Sequence, residues 1–419
     1  MAAEDVVGTA ETLLKVAYPD GIGEVLMRES PFYAEVTKEW GVGGKYFSQP
    51  VEDAPSSGVG SDFAEVAEAH DEAQRVEFQI PYHDYTAQFK FTEKLLAQAE
   101  GDDNAIVEMV DNITGGTLKA LRKEIHWSMF RNGGASRGVI ASGSGSTTLV
   151  LENPADAQWF DRNMSICSDN TDGSGATPAD DGEYIRIASI NKVTGEITKT
   201  GGNWNANGNF AANDNLFRRG TIGRYIRGLA GWIPVDEPSA TAFYNVDRSV
   251  APNDLAGIRD DATAADSTVQ AALVRFAGIM GQFGAAPDRC YLNPRTFAQL
   301  VREMGDNVRY ELANPMGKDG EPLGHIGFQY ITITVGSGPI KVFSEQFCPP
   351  HLAYMLTLDT WRVRGPYEPK ILSRHGNILH PLPSSQGLGY EGRIAAFLHL
   401  ACKQPVANGV MDLTEVLDD

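Results

Sequence analysis

Two alternating apolar runs, separated by a long stretch that cannot supply a core, constrain this chain most. Tyr46, Phe47 and Val51 occupy an outgoing strand, and Val76, Phe78, Ile80 and Tyr82 alternate in a return strand. The alternation then changes phase to Tyr85, Ala87, Phe89 and Phe91, which predicts a bulge near His83–Asp84. Between the runs, Asp53 to Gln74 is rich in Ala, Gly, Ser and acids. Residues 45–91 therefore read as one extended β-hairpin with an unusually long tip. A two-stranded ribbon is marginal alone in water, so the hairpin is expected to lie on another molecule. Val76, Phe78, Ile80 and Tyr82 are its candidate contacts.

The rest of the chain supplies several bodies for such a hairpin. With 419 residues, of which 42% are hydrophobic, two or three subdomains are expected. Residues 1–44 read as a helical arm with apolar positions too sparse for a core of their own. Residues 103–132 carry the strongest helical period, with Ile106, Val110, Ile113, Thr117, Leu121, Ile125 and Met129 on one stripe. Asp103 is its expected cap and Asn132-Gly133-Gly134 its stop, with Gly115-Gly116 weakening the middle. At about 1.5 Å per residue this is a rod of roughly 45 Å. Residues 146–219 break into short strands: 148–151, 164–167, 184–190, 196–200 and 215–218. That pattern predicts a small all-β, barrel-like module. Residues 221–360 mix helices at 267–283 and from Pro294 to about Glu303 with strands at 289–292, 330–335, 340–343 and 353–358. Residues 361–404 return to extended structure, ending in the apolar run Ile394–Cys402.

Charge narrows the function. Lys plus Arg total 35 against 55 for Asp plus Glu, a net of 35 − 55 = −20. Residues 1–100 hold 19 acids and 7 bases, or 7 − 19 = −12 of that excess. Such a surface repels phosphate backbones, so a DNA-wrapping or sequence-reading role is not expected, while a container wall that does not adhere to packed DNA is compatible. Cys167, Cys290, Cys348 and Cys402 are dispersed, as free buried thiols would be. No signal peptide and no apolar run of about 18 residues is present, so no membrane is expected.

The chemistry-bearing motifs are sparse. Gly143-Ser144-Gly145-Ser146-Thr147 lacks the lysine of a phosphate loop. His70, His83, His126, His325, His351, His375, His380 and His399 make no zinc spacing, and His399 sits in an apolar strand as a core residue would. Asn203, Asn205, Asn207 and Gly208 with Asp214 imitate a calcium loop. Three amides stand where carboxylates are needed, so an Asn-rich turn is the better reading and the metal candidate is weak. No catalytic constellation or cofactor is expected.

The order of parts resembles the major capsid protein of tailed double-stranded DNA phages with the Hong Kong 97 fold. Four strings carry the resemblance: Leu118 to Gly134 as the spine helix and its exit, Gly228 to Pro234 as the entry into the axial domain, Tyr291-Leu292-Asn293-Pro294 with Phe297 and Leu300 as a strand-to-helix step, and Tyr390 to Pro405 as the terminal strand and return. It covers about residues 30–415. The resemblance implies an α+β capsid fold. Residues 1–44 form its N-arm and 45–91 its extended loop. Residues 92–145 with 361–404 form the peripheral domain, and 220–360 with 405–419 the axial domain. Residues 146–219 are an inserted β-rich module. It further implies a non-enzymatic subunit of hexamers and pentamers in an icosahedral virion head, made in a bacterial cytoplasm and enclosing DNA without sequence-specific contacts. Partners in such a head are many copies of the same chain, a scaffolding protein, a portal and, in some members, a decoration or cement protein. The 44 residues before the hairpin, starting at Met1, are too few for a fused scaffolding domain, so a separate one is expected. The loop Asp306 to Gly324 is expected to vary most among copies.

Some relatives in that family join subunits through a hairpin lysine. Here residues 46–89 contain none, and Lys45 and Lys90 lie at the root, so non-covalent cohesion is expected. Two other readings remain: an encapsulin-like compartment shell of the same fold, and a β-module hydrolase or carbohydrate-binding protein.

Overall fold

The computed structural model describes residues 30–68, 70–92, 103–174, 184–206, 208–304, 330–336, 338–373, 378–382 and 389–417. Most of the N-terminal arm, Asn207 and the whole of the loop 306–324 lie outside the described residues. The chain divides into two compact units, one built from residues 1–82, 86–130 and 232–419 and the other from 83–85 and 131–231.

The larger unit is α+β, with two six-stranded sheets and a hairpin. It begins with a short helix α1 (Pro31–Glu35) followed by β1 (Thr37–Trp40), so the arm's expected helix gives way to a strand before Trp40. The hairpin strands are β2 (Tyr46–Ala54) and β3 (Gln74–Pro81), with a helix α2 (Phe63–Glu68) in the tip. The phase change read as a bulge is a strand boundary. β3 ends at Pro81, and β4 (His83–Thr92) pairs instead with a strand from the C-terminal region. The hairpin is therefore shorter than 45–91.

The long helix α3 spans Asp103–Ser128, about 39 Å at about 1.5 Å per residue. It continues through Gly115-Gly116 and stops four residues before the expected end. Met129 N still donates to Ile125 O (3.2 Å), but Phe130 N donates to Trp127 O, tightening the last turn. The cause is Phe130, whose ring is drawn into a cluster with Phe32, Tyr291 and Tyr354 at 5.5–6.4 Å. Leu118, Leu121 and Ile125 are buried as the stripe predicts, but so are Arg122, Glu124, His126 and Ser128 between them. The last turns are thus enclosed on every side.

The second unit contains a closed barrel of β5 (Gly138–Ser142), β6 (Thr148–Leu151), β7 (Ser165–Asp169), β8 (Ile185–Asn191), β9 (Glu196–Lys199) and β10 (Asn215–Arg218). Their order round the barrel is β10-β5-β6-β9-β8-β7. Sequence reading located five of these strands and missed β5, so the unit starts before residue 146. Ile140, Leu149, Ile166, Ile187, Ile197, Trp204 and Leu216 fill the interior. Trp204 is held by a bond from its Nε1 to Thr147 O (2.9 Å).

Back in the larger unit, one sheet orders β11 (Ile258–Asp261), β20 (Gly409–Asp412), β15 (Leu352–Leu356), β12 (Arg289–Leu292), β14 (Gly338–Ser344) and β13 (Tyr330–Val335). Helices α4 (Val269–Gln282) and α5 (Pro294–Met304) cover it, burying Leu273, Phe276, Met280 and Leu300. The cap of α4 is Thr268, whose hydroxyl accepts from Ala271 N (3.1 Å), not Ser267, which sits at φ 50. The other sheet runs through β1, β16 (Trp361–Gly365), β19 (Gly389–Cys402) and β17 (Lys370–Ile371), with β4 and β18 (Leu379–Pro381) also on β19. β4 needs Gly392 beneath it, since a Cβ there would lie 2.0 Å from the Phe89 ring.

Candidate functional site

The hairpin is where the chain departs from a self-sufficient fold. Its register pairs Phe47 with Ile80, Gln49 with Phe78 and Val51 with Val76, so these residues share one face. That face is covered by the chain's own body. The Phe78 ring lies 5.1 Å from Trp232 and 6.2 Å from Phe243. Gln79 N donates to Tyr244 O (3.1 Å), and Asn245 Nδ2 donates to Gln79 Oε1 (2.9 Å). Phe78 and Ile80 are 0% exposed. This corrects the reading of Phe78 and Ile80 as inter-subunit contacts: side chains with no surface left have none for a neighbour. Val76 and Tyr82 keep part of their surface, and Tyr82 Oη donates to Val42 O (2.8 Å).

Arg364 is the clasp at the root. Its side chain, 8% exposed, bonds Glu39 on β1 through Nε and Gln49 on β2 through Nη1 (3.3 Å), and stacks 4.0 Å over Phe47. One guanidinium thus ties the N-terminal strand, the hairpin and β16 together. The bond from Arg364 holds the Glu39 carboxyl below the usual carboxylate range. His399 on β19 lies fully buried between Phe47 (5.5 Å) and Tyr82 (4.9 Å), the core role the sequence suggested.

A second clasp holds the start of α1. Ser30 Oγ accepts from Tyr33 N (3.3 Å) as the helix cap and donates to Glu345 Oε2 (2.6 Å). Glu345 also receives Phe32 N (3.4 Å) and Phe347 N (3.3 Å). Burial pushes its carboxyl up to about 7 despite these bonds. Glu35 at the other end of α1 accepts from Arg289 Nε (2.8 Å) and Tyr291 Oη (3.2 Å).

Beyond Ala54 the hairpin changes character. No residue of α2 is buried, and Phe63 and Val59 are 95% and 87% exposed. Residues 55–72 hold the acids Asp62, Glu65, Glu68, Asp71 and Glu72, with Glu52 and Asp53 at the end of β2 just before them, and 52–72 contain no Lys or Arg. The tip therefore carries two bare apolar side chains within an acidic stretch.

The remaining motifs have local roles. Asn205 Oδ1 accepts from Phe210 N (3.1 Å) and Asp214 Oδ2 from Ala211 N (2.7 Å), so both shape a turn; Asn203 is exposed. No grouping of three metal-ligating side chains occurs among the described residues. Gly143 turns the chain at φ 88, where Ser146 N donates to its carbonyl (2.9 Å). All four cysteines are free and buried, and burial pushes the Cys290 and Cys402 thiols up to about 12. No helix among the described residues is long and apolar enough to cross a membrane.

No family model matches the chain and no curated protein matches it. Among solved structures it is similar to the capsid asymmetric unit of cyanophage A-1(L), with 11% identity, a TM-score of 0.47, and coverage of 94% of this chain and 92% of that one. It is also similar to the capsid of a native GTA particle (13% identity, TM-score 0.44, 91% and 88% covered). A third likeness is to the holo-SrpI encapsulin complex of Synechococcus elongatus PCC 7942 (8% identity, TM-score 0.39, 93% and 90% covered).

Proposed function

We propose that this chain is a shell subunit that assembles with copies of itself, as the head protein of a tailed phage does. The observation that carries the reading is the divided hairpin. Its root is locked onto its own body through Phe78, Ile80 and Arg364, while its tip leaves Phe63 and Val59 almost fully exposed. A monomer would gain nothing by exposing that tip; a shell gains a contact at every copy.

In this reading the hairpin tip, with Val76 and Tyr82 nearer the root, meets the neighbouring subunit. Residues 1–44 serve as the N-arm, 92–145 with 361–404 as the peripheral domain, 146–219 as the insertion, and 220–360 with 405–419 as the axial domain. Hexamers and pentamers close an icosahedral virion head around DNA in a bacterial cytoplasm, with a separate scaffolding protein, a portal and room for a decoration protein outside. The chain acts as a wall and not as a catalyst. At the turn, Asn205 and Asp214 already commit side-chain oxygens to backbone donors, which favours an Asn-rich turn over a metal site.

Electron microscopy of the purified protein tests this directly. Closed shells or hexameric and pentameric rings support it, and dispersed monomers at high concentration contradict it. Particles that hold DNA favour the phage reading over the encapsulin-like one, and particles that hold protein cargo favour the reverse.

A further inference from the structure

In a chain with net charge −20, a place where cations gather is informative. On the barrel, Arg162 before β7, Arg186 on β8 and Lys199 at the end of β9 line a shallow cleft of about 520 Å³. Tyr184 and Ile185 give it an apolar side, and Tyr184 is 46% exposed. Arg219, just past β10, stacks over the Tyr184 ring with Cζ 3.5 Å from its centroid. Neither Arg162 nor Arg186 makes an ion pair among the described residues, and the adjacent Asp161 faces Lys192 at 3.8 Å.

The cleft lies at a break in the ladder. Ile187 pairs with Lys199 and Ser189 with Thr198, so Ala188 is left over in a bulge. A bulge bends its strand and re-aims the neighbouring side chains. The result is a cationic, aromatic-sided trough on a barrel whose interior is already full.

We propose that this cleft receives the hairpin tip, residues 52–72, of a second copy of the chain. The proposal rests on the shell-subunit reading and names the surface that the tip meets. Two complementarities support it. The tip carries acids and no Lys or Arg, while Arg162, Arg186 and Lys199 of the cleft make no salt bridge among the described residues; the tip also offers an exposed Phe63 where the cleft offers a half-exposed Tyr184. Glu65 and Glu68 lie three residues apart on α2 and so share a face. A contact of this kind sets register and partner choice, and it weakens with salt. A nucleic acid is the less fitting occupant, because a short cationic trough in a strongly acidic chain neutralises few phosphates.

The test uses a fluorescent peptide of residues 52–72, titrated into the purified full chain at low and physiological salt. Binding should weaken at least tenfold in the Arg162→Glu/Arg186→Glu variant and with a Glu65→Lys/Glu68→Lys peptide. Pairing the reversed peptide with the reversed chain should restore it. Both arginines are exposed, so circular dichroism should show an unchanged fold. The same reversals placed in the full chain, singly and together, are read by the urea midpoint of assembled particles, with loss in each single reversal and recovery in the combination. The proposal is overturned by reversals that change neither readout, or by tighter binding of a single-stranded DNA oligonucleotide than of the peptide. It is also overturned if peptide binds only after Asp180, Asp181 and Glu183 are replaced by amides, since the chain's own acids would then be the occupant. Peptide titration reads the cleft whether or not shells form. A chain that binds the peptide but never assembles would sink the shell reading alone, and shells indifferent to the reversals would sink this inference alone.

Discussion

The root and the tip of the hairpin are one ribbon under two regimes. At the root, alternate residues from Phe47 to Val51 and from Val76 to Ile80 meet Trp232, Phe243, His399 and Arg364 of the same chain. At the tip, α2 buries nothing and Phe63 is bare. The difference shows that length without a local core does not assign a whole element to a partner. The chain pays for the first half of the ribbon itself and leaves only the second half for a neighbour.

Mutations should separate the two halves, with the largest effect at the root. Phe78→Ala removes a fully buried ring from between Trp232 and Phe243. It should cost about 3–5 kcal/mol in the unassembled chain, read as a fall in the urea midpoint. A loss below about 1 kcal/mol would mean that the root is not locked onto its own body.

Next in size is the pH dependence set by Glu345, which clasps the start of α1. Its folded pKa of about 7 lies above the ordinary value of 4.5, so the folded chain favours the neutral acid. Its contribution is full below about pH 4.5 and is lost as pH rises through 7, by roughly 3 kcal/mol in all. In Glu345→Gln that slope should vanish, so the difference in stability between variant and parent should change between pH 5 and pH 8. Parallel stability curves would contradict the burial argument.

Arg364→Ala should come third. Its partner Glu39 is 37% exposed and can be rehydrated, so the loss should be about 2 kcal/mol rather than the larger figure for a fully buried pair. The variant should also lose part of its acid sensitivity. Glu39 is held below its ordinary range, so its contribution is present near neutrality and lost as pH falls. Equal acid sensitivity in both chains would show that the clasp is not ionic.

The smallest effect on the lone chain is expected at the tip. Phe63→Ser should shift stability by less than about 0.5 kcal/mol, because the ring is already 95% exposed. It should nevertheless slow or weaken assembly, measured by light scattering. Unchanged assembly would break the comparison at its second half.

Much of this was legible in the sequence, and the misses have physical causes. The ribbon, the long helix and five barrel strands follow from local alternation and turn chemistry, and β12 and the Pro294 helix start are matched to the residue. The barrel strand β5 was missed because Gly138–Ser142 follows directly on the glycine-rich helix exit and carries only Val139 and Ile140 as large apolar residues, while its partner β10 lies more than 70 positions later. A phase change at Tyr82 looks the same whether a strand bulges or passes to another sheet. The covering of Phe78 was invisible because Trp232 and Phe243 come more than 150 positions later. The cationic cleft was not seen at all: Arg162, Arg186 and Lys199 are unremarkable until the barrel's closure brings them to one face.

Amide hydrogen exchange on the chain before and after assembly tests the central claim most directly. Root strands 46–52 and 75–81 should be protected in both states, while residues 55–73 should exchange fast in the free chain and slow only on assembly. Protection of the tip in the free chain, or fast exchange of the tip in closed particles, would contradict the account.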